Sequence, residues 1–226
     1  MGEMVQFAAN GHTTAGYLAL PPAGKGPGLL VIQEWWGLVD HIKDVADRFA
    51  AAGFVALAPD FYDGQTTKSP DAAAKLFMAL NIDRAAADLR GAADHLLAHP
   101  GVQGSRVGTV GFCMGGQLAL YAGMALPDRI GAAVDFYGIH PKVVIDPARV
   151  TVPVQGHFGS RDTSIPLDGV RDLATKVTAA GGRFELHVYD ADHAFFNDTR
   201  PTAHDAAAAA LAWDRTLGFL RAQLPA

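Results

Sequence analysis

Residues 107–116 constrain the fold more than any other part of the chain. They read Val-Gly-Thr-Val-Gly-Phe-Cys-Met-Gly-Gly, and an apolar stretch at 117–124 follows them. The β-branched run predicts a buried strand and the apolar stretch predicts a helix, with Cys113 at the sharp turn between them. Gly111 and Gly115 leave room at this turn, because a side chain two residues from the cysteine would collide with the adjoining strand or helix.

Strand and helix signals alternate along the whole chain. Strands are predicted at 17–20, 28–33, 54–58, 106–112, 131–136, 152–158 and 184–188. Helices are predicted at 41–51, 83–98, 114–124, 168–179 and 203–220. This alternation is typical of an α/β protein whose mostly parallel sheet is covered by helices on both faces. Asn10-Gly11 predicts a hairpin turn at the sheet edge, and residues 63–71 are expected to form a loop.

Length and composition limit the class of protein. The chain has 226 residues, of which 50% are hydrophobic and 18% charged, so we expect one folded domain over residues 1–226. The 18 basic and 23 acidic residues include no dense Lys/Arg run, so no nucleic-acid partner is expected. One cysteine cannot form an intramolecular disulfide, and no apolar stretch is long enough to span a membrane. We therefore expect a cytoplasmic protein without membrane association, either a monomer or a small homo-oligomer.

A cysteine at such a turn indicates a nucleophile, whose chemistry requires a base and an acid further along the chain. Asp162 follows the strand predicted at 152–158, and His193 follows the strand predicted at 184–188. The imidazole would accept the thiol proton while the carboxylate fixes the imidazole tautomer. Asp192 is an alternative acid, but adjacent residues on an extended loop point apart, which favours Asp162. The helix that follows Cys113 should lower the thiol pKa and favour the thiolate.

The stretch Gln-Glu-Trp-Trp-Gly at 33–37 is the second distinctive feature. Glu34 ends a predicted central strand beside two tryptophans, where a carboxylate is desolvated and becomes a candidate site residue. The backbone N–H groups of Trp35 and Met114 would together form an oxyanion hole. Six aromatic residues are expected to line a substrate pocket at this edge of the sheet: Trp36, Phe61, Tyr62, Tyr137, Phe195 and Phe196.

Taken together, these motifs resemble the dienelactone hydrolase family, the carboxymethylenebutenolidase-like cysteine members of the α/β-hydrolase fold. The resemblance rests on residues 33–37, 58–62 and 111–116, with Asp162 and His193 following in the family's order. It implies an α/β-hydrolase fold with no large cap domain, and hydrolysis of a lactone or ester through an acyl-thioester, with no metal and no cofactor. It further implies that Cys113, Asp162 and His193 form a catalytic triad. Glu34 would bond or deprotonate the thiol when substrate arrives.

The chain departs from this pattern at Asn197, which stands where the resemblance places a carboxylate-binding arginine. Lys75, Arg84 and Arg200 are the available substitutes. The sequence therefore favours a small-molecule ester or lactone less polar than dienelactone.

Two other functions stay open at this point. One is a thiol redox or sensor protein that uses Cys113, against which the absence of a second cysteine counts. The other is a non-catalytic binding module that retains the fold, against which the intact Cys, Asp and His count.

Overall fold

A computed structural model describes residues 1–9 and 11–224 of the protein. In chain order its elements are β1 (Glu3–Ala9), β2 (His12–Ala19), β3 (Gly26–Ile32), α1 (Asp40–Ala51), β4 (Val55–Pro59), α2 (Pro70–Ala79), α3 (Ile82–Ala98), β5 (Val102–Phe112), α4 (Met114–Ala125), β6 (Ile130–Phe136), β7 (Val154–Gly159), α5 (Leu167–Ala179), β8 (Phe184–Tyr189) and α6 (Ala206–Gln223). The strands form one sheet in the order β1-β2-β4-β3-β5-β6-β7-β8. Strands β3 to β8 are parallel to one another, and β1 and β2 form an antiparallel hairpin beside β4.

Helices cover both faces of the sheet. Adjacent β3 residues point to opposite faces, so Val31 packs in the same core cluster as Phe49 of α1, whereas Ile32 packs with Leu118 of α4. Helix α6 lies on the α1 side and helix α3 on the α4 side. The predicted α/β fold with a mostly parallel sheet is confirmed. Among the helices of the described residues, none is long and apolar enough to cross a bilayer.

The structure departs from the sequence-based assignment at α2. The sequence predicts a loop at 63–71, but α2 begins within that range, at Pro70. Ser69 caps the helix by accepting a hydrogen bond from the Ala72 N–H at 3.4 Å, and Pro70 occupies the first turn. Ala73 is the only fully buried residue of this helix, and Leu76 and Phe77, three and four positions further on, are partly buried against the core. The predicted edge hairpin is confirmed by β1 and β2, although Asn10 of its turn lies outside the described residues.

The parallel order of the strands gathers the candidate residues at one edge of the sheet. Glu34 follows β3, Cys113 follows β5, Asp162 follows β7 and His193 follows β8. Because parallel strands all end at the same edge, these four residues meet although up to 159 positions separate them. This edge carries the cavity described next.

Candidate active site

Cys113 sits at the strained turn between β5 and α4. Its φ angle is 54°, in the left-handed region that residues with a side chain rarely adopt. A Cβ atom at Gly111 would collide with the carbonyl oxygen of Gly115, and a Cβ at Gly115 would collide with that of Ile32. Both glycines are therefore needed for the helix to start against the strand, as their spacing around the cysteine predicts.

The Cys113 thiol is buried, with 9% of the residue exposed. Burial raises the pKa of this thiol well above its usual range, and the Glu34 carboxylate raises it further. The backbone N–H of Met114 lowers the thiol pKa but does not outweigh burial. The expectation that the helix N-terminus favours a thiolate is thus wrong for this state of the site, because desolvation dominates. The thiol is protonated at neutral pH.

Asp162 and His193 are paired at the rim of the cavity. The Asp162 carboxylate oxygen Oδ2 accepts a hydrogen bond from His193 Nδ1 at 2.7 Å. Its other oxygen, Oδ1, accepts from the backbone N–H groups of Ser164 at 2.7 Å and Ile165 at 3.1 Å. The carboxylate is 1% exposed and the imidazole 22% exposed. Because Nδ1 is occupied, Nε2 is the ring nitrogen left for a partner in the cavity.

The alternative acid, Asp192, does not contact the imidazole. Its carboxylate is 53% exposed and lies 3.6 Å from the guanidinium of Arg161. The geometry selects Asp162 as the carboxylate that orients His193. Within residues 1–9 and 11–224, no hydrogen bond joins His193 to the thiol of Cys113, so the proton-transfer contact is not preformed.

Glu34 lies at the floor of the cavity and is fully buried. Its Oε2 accepts a hydrogen bond from the side-chain amide of Asn197 at 2.9 Å, and its Oε1 has no partner among the described residues. Burial raises the pKa of Glu34, and the Asn197 hydrogen bond only partly offsets that rise. Asn197, the departure noted in the sequence, is thus a neutral partner for this carboxyl group.

The backbone N–H groups expected to form an oxyanion hole are those of Trp35 and Met114. Trp35 lines the cavity, and the Met114 N–H faces the Cys113 sulfur. In the part of the chain that the structure describes, neither N–H donates to a backbone or side-chain oxygen. Both donors remain available to a negatively charged oxygen.

Cys113 and His193 open into one cavity with a volume of about 220 Å³. This volume is below the roughly 300–1,000 Å³ of pockets that hold drug-sized ligands. Its walls are mainly apolar and aromatic. The lining residues are Glu34, Trp35, Trp36, Phe77, Cys113, Ile139, Ser164, His193, Ala194 and Arg200. Sequence reasoning missed Phe77, Ile139, Ser164 and Ala194, which lie on α2 or in loops that show no motif.

The aromatic lining predicted from the sequence is correct only for Trp36. Phe195 and Phe196 are at most 1% exposed and point into the core, and the buried Tyr137 lies beneath the cavity against the ring of His193. Phe61 and Tyr62 line a separate cavity beside α3. These five side chains are therefore not among those that line the cavity of Cys113: three are buried in the core and two face another cavity.

The charges around the cavity are few. Of the three basic residues proposed to replace the missing arginine, Arg200 lines the cavity, with its guanidinium 5.6 Å from the ring centre of Trp36. Arg84 instead pairs with Asp63 at 2.5 Å in the second cavity, and Lys75 lines neither cavity.

Across the described ranges, no three His, Cys, Asp or Glu side chains are grouped to hold a metal ion.

Comparison with known proteins identifies relatives along the whole chain. The family model described as "Dienelactone hydrolase family" matches residues 14–224. "Protein usf" of Aquifex pyrophilus is 39% identical over 99% of this chain and 100% of its own length. A protein of Aquifex aeolicus named "Putative carboxymethylenebutenolidase" is 34% identical over the same shares of the two chains.

A solved structure shares the fold. It is the crystal structure of a dienelactone hydrolase-like promiscuous phosphotriesterase from metagenomic libraries. The two structures superpose with a TM-score of 0.88 over 99% of this chain and 98% of the other, at 24% sequence identity. At this identity, the likeness establishes the α/β fold.

Proposed function

The chain belongs to the dienelactone hydrolase family, and we propose that it hydrolyses ester or lactone bonds with Cys113 as the nucleophile. The observation that carries this proposal is the shared cavity. It is lined both by Cys113, on the strained turn between β5 and α4 that we call the elbow, and by the imidazole of His193, which Asp162 orients. Fold and family membership place the chain among hydrolases. What we propose is the role of each residue in the reaction.

The proposed reaction begins from a protonated thiol. When a substrate carbonyl enters the cavity, the thiol proton moves to His193 Nε2, directly or by way of the free Oε1 of Glu34. The sulfur then bonds to the carbonyl carbon, and the carbonyl π electrons move to oxygen. The N–H groups of Trp35 and Met114 stabilise that oxyanion, and removing one such donor typically costs about 3 kcal/mol of transition-state stabilisation.

Collapse of the tetrahedral intermediate breaks the bond to the alcohol oxygen, which takes the proton from His193. This leaves an acyl-thioester on Cys113. Water then attacks the thioester carbonyl and passes a proton to His193, and the carboxylic acid departs as the proton returns to sulfur. In each of the two steps, a residue of the protein accepts the released proton and later returns it, so that atoms and charges balance.

The cavity supports a compact, weakly polar substrate. Its walls are aromatic and aliphatic, and the Asn197 amide is engaged by Glu34 rather than free to bind a substrate carboxylate. A five- or six-membered lactone or a short ester fits this description. The single cysteine places no demand on an oxidising compartment, which supports a cytoplasmic location.

Hydrolysis of p-nitrophenyl acetate and of five- and six-membered lactones by the wild type and by Cys113→Ala tests this proposal. We expect kcat/KM to fall at least about a thousandfold in the variant, because the nucleophile acts as a unit with its base. Unchanged activity in Cys113→Ala would falsify the nucleophile assignment. If neither protein hydrolyses any substrate but peroxide readily oxidises the thiol, the redox function is correct instead.

A further inference from the structure

One wall of the cavity is formed by α2, which packs on the core through Ala73 and the partly buried Leu76 and Phe77. Only Ala73 of its ten residues is fully buried, and Met78 near its end is 49% exposed. Phe77 nevertheless lines the cavity, with its ring at a right angle to that of Trp35 and a centroid distance of 6.4 Å. The position of the Phe77 ring therefore depends on its own contacts as well as on the packing of the helix.

Those contacts come from the loop after β6. His140 is 4% exposed, and its Nε2 donates a hydrogen bond to the Phe77 carbonyl oxygen at 3.1 Å. Its Nδ1 accepts from the backbone N–H of Lys142 at 3.1 Å, so the ring is neutral with its proton on Nε2. The Lys142 ammonium donates to the Met78 carbonyl oxygen. The last carbonyls of a helix lack i+4 partners, and the Phe77 carbonyl accepts from the Leu80 backbone N–H only at 3.4 Å, so these two side chains add to a long backbone bond.

The same histidine also contacts the Phe77 side chain. The two rings are tilted by 48°, with centroids 4.4 Å apart. Phe77 is therefore held between His140 and Trp35, and its backbone is fixed by the same imidazole. Moving the Phe77 backbone breaks the hydrogen bond, and rotating its side chain away from His140 breaks the ring contact.

We propose that Phe77 is a specificity-determining residue, which limits the size of the acyl or ring group that can reach Cys113, and that His140 is its positioning residue. The effect on substrate choice rests on the proposed ester or lactone hydrolysis. The effect of Phe77 on access to Cys113 can be tested without any hydrolysis. The other aromatic walls, Trp35 and Trp36, follow β3 directly at the floor of the cavity. Phe77 is the aromatic lining residue that α2 contributes.

The first experiment compares p-nitrophenyl acetate with p-nitrophenyl octanoate. In Phe77→Ala we expect the ratio of kcat/KM for octanoate to that for acetate to rise about tenfold, because pocket contacts to a few methylene groups discriminate by this much. Phe77→Trp should lower the ratio. Met78→Ala, on the adjacent exposed position, is the matched control and should leave the ratio unchanged.

His140 is tested by a pair of variants. His140→Ala removes the donor to the Phe77 carbonyl and should raise the octanoate-to-acetate ratio while acetate hydrolysis stays within about twofold. His140→Gln retains an N–H donor and should restore the wild-type ratio. A structural role alone would reduce the hydrolysis of both esters equally, so equal losses would show that His140 does not position the wall.

The second experiment needs no hydrolysis. Cys113 is the only cysteine, so thiol alkylation reports access to this cavity alone. We expect Phe77→Ala to increase the labelling rate by iodoacetanilide, relative to iodoacetamide, about tenfold over the wild type. An unchanged ratio in both experiments overturns the inference. A changed labelling ratio in a protein that hydrolyses no ester supports the wall and overturns the proposed function.

Discussion

Cys113 and Phe77 face the same cavity from elements that are held in different ways. The backbone of Cys113 is bonded on both sides, because its N–H donates to the Phe136 carbonyl at 3.0 Å and its carbonyl accepts from the Ile139 N–H at 3.2 Å. Phe77 is on a helix with one buried residue. The backbone at the elbow is therefore fixed in one conformation. The position of Phe77, in contrast, depends on a few contacts with its neighbours. Substitutions at the elbow should affect folding, and substitutions at the wall should affect substrate choice.

The largest expected effect is at Gly111. A Cβ there would meet the Gly115 carbonyl, which is backbone and cannot rotate away, so we expect Gly111→Ala to lower the free energy of unfolding by several kcal/mol. Gly218→Ala is the matched control. Its Cβ would meet nothing within 4 Å in the interior of α6, so it should stabilise the protein by about 1 kcal/mol. Urea unfolding measures both, and a Gly111→Ala protein as stable as the wild type would show that the elbow is not rigid.

The next effect concerns the acid that orients His193. Asp162→Asn should reduce kcat/KM about 10³–10⁴-fold, because the amide no longer holds the correct imidazole tautomer. Asp192→Asn changes an equally sized acid that contacts only Arg161, and should leave kcat/KM unchanged. Steady-state kinetics with p-nitrophenyl acetate compares the two variants. Similar losses in both would mean that the Asp162 contact is not the one used in catalysis.

A smaller effect is expected at Glu34, on the floor beside the thiol. Its carboxylate raises the pKa of Cys113, so Glu34→Gln should lower that pKa and shift iodoacetamide labelling to lower pH. Glu3→Gln, on exposed β1, should leave the labelling curve in place. Coincident curves for the wild type and Glu34→Gln would mean that Glu34 has only a structural role.

The smallest effect is expected at Arg200, on the exposed rim. Its charge lowers the pKa of Cys113 slightly, so Arg200→Gln should shift the labelling curve to higher pH, opposite to Glu34→Gln and by a smaller amount. The free energy of unfolding should change by no more than about 0.5 kcal/mol, as for other exposed positions. Labelling at several pH values checks the direction. A shift larger than that of Glu34→Gln would mean that Arg200, rather than Glu34, has the larger effect on the pKa of Cys113.

The sequence predicts the central strands, because a buried parallel strand appears as a continuous apolar run. It also predicts the order of the site residues, because they lie in the loops that directly follow these strands. Helix α2 is missed, although its start at Ser69 and Pro70 and the helical spacing of Ala73, Leu76 and Phe77 are both visible in the sequence. The sequence also misjudges the thiol. The helix N-terminus behind Cys113 is a local feature, whereas the burial and the Glu34 carboxylate that outweigh it come from distant parts of the chain.

The strand order also has a consequence for synthesis on the ribosome. Eighty residues separate Cys113 from His193, and the imidazole reaches the cavity only after β6, β7 and β8 have joined the sheet in succession. At about 5–20 residues per second, translation of that interval takes roughly 4–16 s. During this time the nascent chain carries the proposed nucleophile without the proposed base. Under the proposed mechanism, a product truncated before β8 lacks the base and should hydrolyse no ester.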